Sequence, residues 1–194
     1  MNLDKNQFKF IKELSPSEVF SLWEKGEGQL ESWNKVAIEK GWDSWKDWRW
    51  HCFKSVKGDK ASWNLYEIVN PNKSIPHFKI GPTQSWQKHF AEKNNHTFQD
   101  LIDEHIEWVK QNDGVQVQLK EFPQPSHMIA LHFPDADQLV LFEGHHRSAA
   151  ITLAKKMGEP LVFNSPLTIS IAEMQPGDKK YLDEFLEKGS KKPE

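Results

Sequence analysis

The chain has 194 residues, 37% of them hydrophobic and 27% charged, a net charge of −3, and nine tryptophans against two tyrosines. That length suits a single domain with one sizeable core, and no apolar run approaches the roughly 18 residues of a membrane span. The lone Cys52 excludes an intrachain disulfide and a thiolate zinc cluster; with no apolar export signal in residues 1–10 and no concentrated basic surface, the expectation is a cytoplasmic protein with neither membrane nor nucleic acid as partner.

Residues 8–14 alternate as a short strand. Ser15-Pro16-Ser17-Glu18 then opens a helix: Ser15 caps, Pro16 suits the first helical position, and Glu18 sits where a capping box places its carboxylate. This helix runs through Trp23 and stops near Gly26 and Gly28. A second covers residues 30–40, ended by Gly41, and Asp43 is placed to cap a third bearing Trp45, Trp48 and Arg49. Residues 62–69 read as a strand. Thr83 is placed to cap a short helix and Thr97 a longer one, in which Leu101, Ile102, His105 and Val109 recur at helical spacing. Asp113-Gly114 reads as a turn, and Val115, Val117 and Leu119 as a half-buried strand. Residues 128–133 and 139–142 form a hairpin around Pro134-Asp135-Ala136-Asp137. A helix follows Gly144 and ends at Gly158, residues 167–171 are a strand, Asp178 is placed to cap a last helix, and residues 189–194 read as a disordered tail. The fold class is α+β: a small mixed sheet with packed helices, one domain over residues 1–188, with residues 30–112 a mostly helical, Trp-rich insertion.

The chemical signal lies in Glu143-Gly144-His145-His146-Arg147-Ser148, where a strand ends at a glycine and a helix begins. The first amides of a helix lack internal acceptors, and the helix dipole adds partial positive charge there. Gly144 lets an anion approach the backbone. His146 and Arg147 add donors, Arg147 as a planar fork that matches phosphate oxygens, and Ser148 adds a hydroxyl. The same pattern arises in ordinary strand-to-helix turns. His127, His132, His145 and His146 with Glu143 are an alternative, protein-only metal set, although no His-x-His or His-Glu-x-x-His spacing is present. Trp42, Trp45 and Trp48 share a helix face beside Arg49, either as glue for the core or as a stacking platform.

The run 139–150, Leu-Val-Leu-Phe-Glu-Gly-His-His-Arg-Ser-Ala-Ala, resembles the phosphate-binding box of the ParB/sulfiredoxin superfamily. The resemblance covers residues 128–171. It implies that Gly144, His145, His146, Arg147 and Ser148 cradle the phosphates of ATP, ADP or CTP. Sulfiredoxins carry a catalytic cysteine in this turn, where His145 stands here. ParB proteins continue into a helix-turn-helix module, for which too few residues follow Ile171. The remaining branch is similar to the free serine kinases. That likeness implies a nucleotide-dependent phosphotransferase acting on a small-molecule substrate, with Mg²⁺ as cofactor. In it Glu143 would serve magnesium or the acceptor hydroxyl, and Glu18, in Leu14-Ser15-Pro16-Ser17-Glu18, would be a candidate catalytic base. The alternatives are a non-catalytic, nucleotide-responsive binding module and a ParB-like DNA-associated protein.

Overall fold

The computed structural model describes residues 5–193; residues 1–4 of the stretch read for an export signal, and Glu194 of the expected tail, lie outside the described residues. β1 (Phe8–Leu14) leads into α1 (Pro16–Trp23), which starts on the expected capping box: the Glu18 amide donates to Ser15 Oγ (3.3 Å) and the Ser15 amide to Glu18 Oε2 (2.8 Å). α1 widens into a π-helical turn, Glu24–Gly28, before α2 (Glu31–Glu39) and α3 (Trp45–Ser55). Ser44 caps α3 in place of the expected Asp43, accepting from the Asp47 amide at 3.1 Å. Then come β2 (Ser62–Ile68), the one-turn helices α4 (Pro71–Ser74) and α5 (Gln84–Gln87), and α6 (Phe98–Lys110), which Thr97 and Asp100 close as a capping box.

Residues 115–119 differ from the strand expected of them. They belong to α7 (Asp113–Lys120). Asn112 caps it, accepting from the Val115 amide at 3.1 Å, and Asp113 sits in its first turn. Val115 and Leu119 are four residues apart, so the apparent alternation is also one face of a helix. Val115 is buried and Leu119 packs on the core, whereas Val117, on the other side, is exposed.

β3 (Ser126–Phe133), β4 (Gln138–Glu143), α8 (His145–Lys156), β5 (Leu167–Glu173) and α9 (Lys180–Lys188) complete the chain. Asp178 does not cap α9, which begins after Lys179; its carboxylate accepts from the Gln175 amide instead. The fold is α+β, with the strands in the order β1-β2-β5-β3-β4. β3 and β5 are parallel and the other neighbours antiparallel. β2 lies between β1 and β5, so the Trp-rich stretch 30–112 contributes an interior strand.

Both faces of the sheet are covered at β3, which explains why it reads as an almost unbroken apolar run. Met128 and Ala130 pack with Leu101, Ile102, Ala149 and Leu153 in one core. Ile129, Leu131 and Phe133 face the other way, into a core with Val19, Phe20, Trp23, Trp45, Trp48 and Phe53. Most of the tryptophan excess fills this second layer, where large rings build a core from few residues. Residues 189–192, expected as part of a disordered tail, pack on the connection between α2 and α3: the Trp42 indole donates to Ser190 O (2.9 Å) and the Lys192 amide to Lys40 O (3.0 Å).

Candidate functional site

β4 ends at Glu143, and Gly144 turns the chain into α8 with φ 107° and ψ 20°, a left-handed conformation natural to glycine. The turn delivers the α8 N-terminus to a cavity of about 450 Å³. Glu143, Gly144, His145 and His146 line it on this side. The facing wall comes from α1, its π-helical extension, α2 and α3, and includes Trp23, Glu27, Lys40, Trp48 and Arg49. The amides of His145, His146 and Arg147 stand in the first turn of α8, where no intrahelical acceptor exists.

Of the residues singled out in the sequence, the structure brings Glu143, Gly144, His145 and His146 to the cavity. Arg147 and Ser148 are not among its lining residues. The Arg147 guanidinium turns back on its own strand, its Nη2 donating to both Glu143 oxygens at 2.6 and 2.5 Å and its Nη1 lying 3.5 Å from Ser126 Oγ. Arg147 therefore orients a carboxylate. Ser148 is fully buried, its hydroxyl directed at Met128 Sδ (3.8 Å). Glu18 also lies away from the cavity lining. Its carboxylate is engaged by the Ser15 amide and hydroxyl and by Lys12, and the Ser15 amide, first among these, holds it below its ordinary pKa.

His145 is buried, with Nε2 accepting from the Gly81 amide at 3.1 Å. That bond assigns the ring proton to Nδ1. Burial, then His146, Arg49 and Arg147, push its pKa down to about 3, so His145 is a neutral acceptor rather than a cation. His146 packs edge-on to Trp86 (5.2 Å between ring centres) and against Gly114 of α7, where an added Cβ would stand 2.4 Å from the imidazole. Its pKa is lowered, by burial first, with Glu27 opposing.

Glu27 carries no sequence signal beyond lying between two glycines, yet it meets Glu143 in the cavity. The two carboxyl groups lie close enough that Glu27 acts on the titration of Glu143. Arg49 Nη2 donates to Glu27 Oε2 at 2.9 Å and the Trp45 indole at 3.3 Å. The cluster is thus two ion pairs back to back, Arg49–Glu27 and Glu143–Arg147. Burial raises the Glu143 pKa above the carboxylate range; Arg147 pulls it down and Glu27 adds to the rise. The upward direction prevails, because burial of the charged form is the largest of these effects.

The tryptophan platform already has an occupant. The Arg49 guanidinium carbon lies 4.0 Å from the Trp48 ring centre and 5.0 Å from those of Trp23 and Trp33. Cys52, also at the cavity, is a buried thiol whose pKa burial pushes up to about 11, which leaves it unreactive.

The histidines considered as a metal set are spread apart. His127 joins β3 to β5, its Nδ1 3.0 Å from Thr168 Oγ1 and its Nε2 3.1 Å from Ser170 Oγ, while His145 is committed to Gly81. No group of three or more metal-ligating side chains exists among the described residues. No helix there is long and apolar enough to cross a membrane. No protein family, curated protein or solved structure matches the chain.

Proposed function

We propose that this protein is a nucleotide-dependent phosphotransferase acting on a small molecule with a hydroxyl group. The observation that carries the reading is the left-handed Gly144 turn, which sets the α8 amides and a buried carboxyl, Glu143, at one cavity. A helix N-terminus opening on a cavity of this size suits a phosphate-bearing ligand. The resemblance of residues 139–150 to the ParB/sulfiredoxin box supports the same reading independently of the geometry.

In this reading the amides of Gly144, His145 and His146 hold phosphate oxygens, and the His146 N–H supplements them. Glu143, its pKa raised by burial, takes the proton of the acceptor hydroxyl. The freed oxygen bonds to the terminal phosphorus as the bond to the bridging oxygen breaks, and the nucleotide leaves one phosphate shorter. Positioning and charge stabilisation supply most of the acceleration. Mg²⁺ typically takes one or two carboxylates together with ligand phosphates; Glu143 and Glu27 are the carboxylates that would hold it, each giving up an arginine contact to do so, and the ion would neutralise charge on the transferred group. ATP or ADP is the expected donor, with CTP a further candidate.

Incubation with ATP or ADP, Mg²⁺ and a mixture of hydroxylated metabolites should show nucleotide turnover that is lost in Glu143→Gln. Turnover that survives in Glu143→Gln rejects Glu143 as the base. The pairing of each carboxylate with an arginine also favours a second reading, a nucleotide-responsive binding module without chemistry. Nucleotide binding with no turnover toward any acceptor would select it.

A further inference from the structure

The wall opposite α8 holds two cations. Arg49 Nη2 is fixed by Glu27 at 2.9 Å, and Nε is closed off from solvent without a partner. No described residue accepts a hydrogen bond from Nη1. The plane is clamped against Trp48, 4.0 Å from its ring centre. Lys40 also lines the cavity, its Nζ lying over the Trp48 ring at 5.6 Å, and it makes no ion pair among the described residues. A guanidinium held by a carboxylate and by aromatic faces has little rotamer freedom left to lose on binding. Its remaining donor is preorganised for an oxygen acceptor.

We infer that Arg49 and Lys40 form an oxyanion subsite across the cavity from the α8 N-terminus, selecting ligands that carry a second oxyanion, carboxylate or phosphate, besides the phosphate held at Gly144. The inference rests on the phosphate-binding reading above and adds to it the class of the second ligand group. Glu27 belongs to the subsite as a positioning residue: it orients Arg49 and partly offsets its charge, so that specificity comes from geometry rather than from bulk positive charge.

The test compares two-carbon phosphate esters by calorimetry: phosphoglycolate, which bears a carboxylate, and ethyl phosphate, which does not; ethylene bisphosphate, with a phosphate in that position, separates the two oxyanion sources. The expected result is phosphoglycolate or the bisphosphate binding about tenfold or more tightly than ethyl phosphate, the advantage of one charge-assisted hydrogen bond. That advantage should vanish in Arg49→Gln and shrink in Lys40→Gln, with ethyl phosphate affinity unchanged. Because Arg49→Gln leaves Glu27 without its cation, Arg49→Lys is the second variant: it keeps the charge, loses the fork, and should also reduce the preference. Equal affinity for all three esters overturns the subsite while leaving phosphate binding at Gly144 intact. Failure of all three to bind overturns both.

Discussion

Two neutral histidines make the fold acid-sensitive in a calculable way. His145 and His127 have pKa values pushed down to about 3 and about 4 by burial, from an ordinary 6.5. In the unfolded chain both take up a proton as pH falls below 6.5; in the fold neither does so until far lower. The unfolded state therefore binds more protons in that window, and stability, fully present above pH 6.5, is lost as pH falls. At pH 5 each imidazole has removed about 2 kcal/mol, and both together about 4 kcal/mol, a large share of a typical 5–15 kcal/mol. Glu143, with its raised pKa, works in the opposite sense, favouring the fold less as pH rises. Urea unfolding at pH 7 and pH 5 should be measured for the parent chain and for His127→Gln/His145→Asn. The double variant is less stable at pH 7, but its further loss on going to pH 5 should be smaller by about 4 kcal/mol. Equal losses in both proteins would refute the neutral, acceptor role given to His145.

Arg147→Met strands the buried Glu143 carboxylate and should cost about 3–5 kcal/mol in urea unfolding; adding Glu143→Met should restore most of it, since removing both members of a buried pair is far milder than removing one. Gly144→Ala forces a Cβ into a left-handed turn, 2.9 Å from Met128 Cγ, and should cost about 1–3 kcal/mol by the same measurement and weaken phosphate binding. Glu18→Ala should lower the melting temperature through the lost capping box while leaving nucleotide binding and turnover unchanged; an abolished turnover with binding intact would return Glu18 to the catalytic machinery.

Local signals in the sequence carried the architecture well. The capping boxes at Ser15–Glu18 and Thr97–Asp100 and the hairpin around Pro134 rest on neighbouring residues, and each forms as expected. Residues 115–119 differ from expectation because Val115, Val117 and Leu119 alternate as a strand would, while Val115 and Leu119 alone also make one helix face, and the cap that decides between them, Asn112, lies just upstream. The cavity was half legible. Gly144 and its flanking strand and helix announce an anion-facing turn, but a sequence does not show which way a side chain leaves its helix: four residues separate Arg147 from Glu143, one helical turn, and the buried carboxylate claims the guanidinium. Glu27 and Arg49 were invisible as partners because 22 residues, including the whole of α2, separate them, and only the packing of the π-helical turn against α3 brings them together.

The claim on which the functional reading stands is that the first amides of α8 receive an anion. Titrating inorganic pyrophosphate into ¹⁵N-labelled protein reads those amides individually. The largest shift changes should fall on Gly144, His145 and His146, and should be lost in Gly144→Ala. Saturating pyrophosphate that leaves these three amides unmoved, or that moves only surface lysine regions, would contradict it.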